Sequence, residues 1–213
     1  MMIRLSQTSK MPCKSWSLPA LTTCPGSRKA DGTKVDVCKG CYATTGFYNM
    51  GAAMALRSEN RYDWHRVEWV DEMVEAIKPD PYFRWFDSGD VFHPELAEKI
   101  YIIGKKTKDT RHWLPTRSHK VPTIRNWLTR MKRLPNMAVR YSSDRVNRFN
   151  KRLHGSVVSD GKLLPNTFEC QAYLRGGQCG DCRACWGKSN KTIAYPAHGY
   201  KMKRIAANVN HPA

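Results

Sequence analysis

The stretch YFRWFDSGDVFHPELAEKI, residues 82–100, carries the pattern that decides the fold. Residues 82–86 are rich in aromatic side chains, as strands are. They run into Asp87-Ser88-Gly89-Asp90, a turn-forming cluster. Pro94 follows, and proline suits the first turn of a helix. Leu96, Ile100 and Ile103 then recur on one helical face. The stretch predicts a strand, a polar turn and a helix over Pro94–Lys106.

The unit repeats downstream. A strand is expected over 111–115, ending at Thr116-Arg117-Ser118. Pro122 opens a helix to about Arg133 that carries Ile124, Trp127, Leu128 and Met131. Another strand over 137–141 ends at Ser142-Ser143-Asp144. Upstream, a short strand is expected at 14–18 and a loop over 21–51, followed by one helix over 52–78 that Pro79 stops. Strand and helix alternate, which implies a parallel sheet with right-handed crossovers. The fold class is α/β, a partial TIM-like (βα) barrel over residues 1–154. Polar residues gather just past the strand ends, where sites form in such folds. From about residue 155 the alternation is lost. Residues 155–164 read as a hairpin around Asp160-Gly161, and residues 155–213 as a small Cys-rich metal subdomain.

The 213 residues carry 36 Lys+Arg against 18 Asp+Glu, a formal net charge of +18. Hydrophobic residues at 41% indicate a globular chain. No uncharged run approaches the roughly 18 residues of a membrane span. The start, MMIRLSQTSKMPCK, lacks the apolar run of a secretory signal. A cytoplasmic protein with an anionic partner is expected, without membrane contact. Basic residues from Arg125 to Arg152 interleave with Trp127, Tyr141 and Phe149, a composition that suits nucleic acid or nucleotide binding.

The cysteines fall into two groups, Cys24, Cys38 and Cys41, then Cys170, Cys179, Cys182 and Cys185, with Cys13 left over. In a reducing compartment such spacings read as metal ligands. Cys179, Cys182 and Cys185 form CxxCxxC, and with Cys170 they offer enough thiolates to close a site. His198 is a substitute ligand there. Iron–sulfur clusters and zinc both fit such spacing. The first group offers three ligands and so leaves one position open, which marks a reactive site. The alternative is a closed zinc site completed by His93, Cys13 or another distant residue. His93 equally suits the cap of the helix that follows.

The layout of the cysteine loop, the strand end Ser88-Gly89-Asp90 and the helix start His93-Pro94-Glu95-Leu96 resembles the radical S-adenosylmethionine (SAM) enzymes. Cys41-Tyr42-Ala43 is similar to the last cysteine of that family's motif and its neighbours. The resemblance implies a 4Fe–4S cluster on Cys24, Cys38 and Cys41, with SAM chelated to its open iron and Asp90 holding the SAM amino group. It implies an auxiliary cluster on the second group. Two departures are plain: thirteen residues separate Cys24 from Cys38, and Asp90 stands where Glu is usual. The chain also resembles the gene product 88 type of mycobacteriophage protein, through Thr23–Gly26, Cys41–Ala43, Ser88–Val91, Thr116–Ser118 and Cys179–Trp186 with His198-Gly199. That resemblance places it in the cytoplasm of an infected bacterial host.

Three functions follow. The first is a radical SAM-like iron–sulfur enzyme that modifies a nucleotide or nucleic acid, with Arg117 and Arg140 as candidates for binding substrate phosphate or the SAM carboxylate. The second is a zinc-containing base transglycosylase-like enzyme with an aspartate nucleophile, Asp87, Asp90 or Asp144. The third is a non-catalytic, metal-stapled nucleic-acid-binding protein.

Overall fold

The computed structural model describes residues 3–150, 155–188 and 191–208. Among these, one sheet contains β1 (Ser6–Gln7), β2 (Lys14–Trp16), β3 (Tyr82–Trp85), β4 (Arg111–Thr116), β5 (Met137–Ser142), β6 (Gly155–Ser159), β7 (Thr167–Glu169) and β8 (Thr192–Pro196). The helices are α1 (Asp36–Lys39), α2 (Gly51–Asp63), α3 (Trp69–Ile77), α4 (Pro94–Lys106), α5 (Pro122–Arg133) and α6 (Tyr200–Asn208). The sheet order is β1-β2-β3-β4-β5-β6-β8-β7, and every pair except β1–β2 is parallel. Sequential parallel strands with helical crossovers match the expected α/β architecture. The ladders form an open run, and none among the described residues joins β7 back to β1.

Strand alternation splits the sheet into two faces. Phe83 and Trp85 of β3, Leu114 of β4, and Met137 and Val139 of β5 point to one face. There they meet Met73 and Ile77 of α3, Leu96 and Ile100 of α4, and Leu128 and Met131 of α5. Trp16, Trp69 and Trp85 are fully buried in this layer, with the Trp16 and Trp69 rings edge-on at 5.2 Å. Each indole removes about 150–250 Å² from water, on the order of 4–6 kcal/mol before entropy is counted. The opposite face carries Tyr82, Arg84, Trp113 and Arg140. Trp186 closes against it, its Nε1 donating to Phe83 O at 2.9 Å and its ring 5.3 Å from Trp113.

Helices α4 and α5 occupy the expected residues, each opened by its proline. His93 caps α4, its Nδ1 accepting from Glu95 N at 3.3 Å. The single helix expected over 52–78 is two, α2 and α3. Side chains take the carbonyls that would have continued it. Trp64 Nε1 donates to Arg61 O at 2.9 Å, and Lys99 Nζ to Trp64 O at 2.9 Å. The loop expected over 21–51 contains α1 and several one-turn 3-10 helices. The hairpin expected over 155–164 is absent. β6 pairs with β8 and β8 with β7, so β8 lies between the two strands a hairpin would have joined. β6, β7 and β8 extend the same sheet, which therefore runs through the division expected at 154/155.

His112 of β4 is fully buried between the sheet and α4. Its Nδ1 accepts from Trp85 Nε1 at 3.2 Å, so the ring proton sits on Nε2 and donates to Thr107 Oγ1 at 2.8 Å. Burial pushes its pKa down to about 4. Unfolded histidine titrates near ~6.5, so the unfolded chain takes up a proton the folded chain refuses. Stability is intact above that value and falls by about 1.4 kcal/mol per pH unit as pH drops towards 4. Urea unfolding at about pH 7.5 and about pH 5 checks this. The wild-type loss should exceed that of His112→Gln by about 2 kcal/mol, and equal losses would remove the neutral buried ring from the account.

Candidate functional site

A cavity of about 880 Å³ opens at the carboxyl ends of the parallel strands. Cys24, Cys38 and Cys41 all line it, together with Ser88, Gly89 and Asp90. The first cysteine group and the turn after β3 therefore meet in one chamber.

Close backbone contacts hold the cysteine loop there. Gly89 has φ +76, and a Cβ on it would stand 2.6 Å from Leu18 Cβ and 2.7 Å from Thr23 Oγ1. Ser88 Oγ donates to Leu18 O at 2.8 Å, and Leu18 N donates to Ser88 O at 3.0 Å. The turn after β3 is thus pressed onto the segment that leads into Cys24. One residue past Cys24 and Pro25, a Cβ on Gly26 would reach 2.3 Å from Arg117 O. Val37 N donates to Asp144 O at 3.2 Å, which ties α1 and Cys38 to the end of β5. A Cβ on Gly40 would meet Met202 Cε of α6 at 2.7 Å. Tyr42 OH donates to Asp87 O at 2.6 Å and anchors the chain beside Cys41. Leu21 and Phe86, both lining the cavity, hold left-handed φ of 65 and 57. Such non-glycine strain gathers at functional sites.

The thiols lie within one another's electrostatic reach. Burial, with Asp90 and the neighbouring thiols, pushes Cys24 well above its ordinary range, and burial raises Cys38. Among the described residues no three His, Cys, Asp or Glu groups converge as a metal-ligand set, and none of the cysteines is in a disulfide. The donor chemistry, three cysteine thiols lining one chamber, suits a thiophilic metal or cluster.

Asp90 braces two strand ends. Its Oδ1 accepts from Val91 N and its Oδ2 from Arg117 N, both at 2.8 Å. The Thr116 and Ser118 side chains also hydrogen-bond to this carboxylate. Burial raises its pKa, against the pull of those amides. The Arg117 guanidinium also lines the cavity and donates twice to Ser143 O, at 3.1 and 2.9 Å.

Three expected residues stand elsewhere. Arg140 is not past a strand end but within β5, buried and outside the cavity wall. Its guanidinium donates to the carbonyls of Ala184, Cys185, Gly187 and Lys191 at 2.7–3.2 Å. It pins the second cysteine segment, with four of its five N–H donors so engaged. Asp144 pairs with Lys120 and lies 3.8 Å from Arg117 Nε, also outside the cavity wall. His198 lies not with the second cysteine group but against the first. It lines the cavity, and its ring is 5.7 Å from that of Tyr42.

The second group packs on the inner sheet face. Cys179 and Cys185 border a cluster of Met11, Cys13, Trp113 and Trp186. Cys182 N donates to Cys179 O at 3.1 Å, and Cys185 Sγ lies 3.2 Å from Tyr195 OH. Cys170 N donates to Ala194 O of β8 at 2.8 Å. Cys13, unassigned by spacing, belongs here. Burial pushes its thiol up to about 12, with Arg84 opposing and Cys179 adding. Arg84, which no motif in the sequence singles out, lines the cavity and lies within electrostatic reach of Cys13, Cys179 and Cys185.

This arrangement defines an α/β protein with a three-thiol chamber at the carboxyl edge of a sequential parallel sheet. The model of the Gene product 88 family matches residues 3–188, and the chain belongs to that family. No curated protein and no solved structure matches the chain.

The contact at Gly89 is testable against Gly32, which has φ +79 but open space around its Cα. Gly32→Ala should lose about 1 kcal/mol from backbone strain alone. Gly89→Ala should lose about 3 kcal/mol, because strain and overpacking add. Chemical denaturation of both variants reads the difference, and equal losses would mean that the turn does not press on the cysteine loop.

Proposed function

We propose that the protein is a radical SAM-like iron–sulfur enzyme acting on an anionic substrate, a nucleotide or nucleic acid. The observation that carries this reading is the chamber itself: Cys24, Cys38 and Cys41 line one cavity with Ser88, Gly89 and Asp90. Three thiols suit a 4Fe–4S cluster with one open iron. When bound, such a cluster supplies the electron that splits SAM and so starts hydrogen abstraction from substrate.

The chain's own residues position and shield. The glycine contacts at Gly26 and Gly89 hold the thiol loop against the strand ends. Asp90 offers carboxylate charge to an ammonium group, while its amide and hydroxyl hydrogen bonds keep it in place. Arg117, fixed through Ser143 O, presents positive charge at the cavity wall. Tyr42 and His198 border the cysteine side of the chamber. The second cysteine group would hold an auxiliary cluster or a zinc ion that staples the interior.

Iron, sulfide and zinc per chain after anaerobic purification test the reading, followed by reductive SAM cleavage assayed as 5′-deoxyadenosine. Iron with matching sulfide and SAM cleavage are expected. Cys38→Ala should abolish cleavage and lower iron while the chain stays folded. Cys182→Ala should lower the unfolding temperature by several degrees, about what a lost staple of 1–2 kcal/mol gives. Zinc without iron would overturn the radical reading.

A further inference from the structure

We propose that Arg84 binds an oxyanion, a carboxylate or phosphate, on the molecule that enters the cavity. The inference shares the chamber with the reading above but needs no metal there.

Alternation along β3 sends Phe83 and Trp85 into the helix layer and Arg84 to the inner face. There it lines the cavity, partly exposed, with its guanidinium over the Trp113 ring at 4.3 Å. Among the described residues no carboxylate lies within ion-pair distance of it. Its hydrogen bonds are weak: Nη1 donates to the poor acceptor Met11 Sδ at 3.3 Å, and Nη2 to Tyr42 OH and Phe86 O at a long 3.5 Å. Its Nε has no partner. A guanidinium carries five N–H donors, and here none meets an acceptor of full strength. A cation in a recess with no carboxylate in contact gains from a ligand that supplies one.

The surroundings favour an anion. Arg4, Lys10, Arg57 and Arg117 also line the cavity, against two carboxylates, Asp87 and Asp90. Asp87 accepts from the Ser17 hydroxyl, and Asp90 from two amides and the Thr116 and Ser118 side chains, and neither carboxylate contacts the Arg84 guanidinium. Burial keeps the hydroxyls of Tyr42, Tyr48 and Tyr195 protonated. They therefore carry no negative charge against Arg84, on which Asp87 acts only through space. Arg84 thus offers a planar fork, backed by an aromatic face, to a planar or tetrahedral oxyanion.

Thermal unfolding of the full chain as isolated, at constant ionic strength, tests this with sodium phosphate in one series and sodium acetate in the other. A saturable rise in midpoint with one of them is expected, and which one identifies the source of the oxyanion. Arg84→Gln should raise the half-saturating concentration at least about tenfold, the fold-change of one charged hydrogen bond. If Arg84→Gln does not fold, Arg84→Lys decides, with a weakened but saturable response. Cys38→Ala should keep the response, so failure of the metal reading is distinguishable. Absence of any saturable shift in the wild type overturns the proposal, as does a Gln variant that responds like the wild type. Metal loss in Arg84→Gln with an unchanged anion response also overturns it, since the charge would then serve the second cysteine group.

Discussion

The architecture of the chamber depends on one steric fact: the turn after β3 touches the loop ahead of Cys24 with no side chain between them. Gly89 satisfies it with a left-handed backbone and no Cβ. The contact is more than a filled gap. It brings Leu18 N and O to Ser88, which continues the line of the sheet beyond β2 and β3. It also places Asp90 where its two oxygens reach the amides of Val91 and Arg117. The end of β4 is then fixed relative to β3, and Gly26 can rest on the Arg117 carbonyl. A side chain at either glycine would push the thiol loop away from the strand ends that face it.

The two faces of the sheet divide the labour. The helix side is apolar, and Phe86, with its left-handed φ, is buried at its edge. The inner side carries charge and sulfur. Arg140 satisfies its buried guanidinium with four carbonyls of the second cysteine segment. Arg84, two strands away on the same face, has no such arrangement. The contrast between these arginines separates a structural cation from one with unused capacity.

Much of this was legible in the residues. Pro94 and Pro122 mark the starts of α4 and α5, and the strand ends at Ser88, Arg117 and Ser143 follow from local patterns. The grouping of Cys24, Cys38 and Cys41 in a loop beside Asp90 was readable as well. What escaped depends on distant partners. Lys99 takes the carbonyl at the break between α2 and α3, and no signal near residue 64 announces it. The insertion of β8 between β6 and β7 is a long-range pairing that a local hairpin pattern imitates. The parity of Arg84 and Arg140 was in the sequence. Met137, Val139 and Tyr141 alternate with Ala138 and Arg140, and that alternation already placed Arg140 within a strand. Cys13 carried no spacing signal, because its neighbours lie far along the chain.

The position of β8 and α6 also bears on synthesis. The inner face of β3 and β4 receives Trp186 from a segment about a hundred residues later, and Gly40 receives Met202 from α6. A growing chain therefore displays Trp113, Cys13 and the first thiols before their cover has left the ribosome. Such an exposed interior is prone to mispairing and aggregation. Nascent chains stalled before α6 would leave Cys38 without the Met202 cover that packs on it in the finished protein.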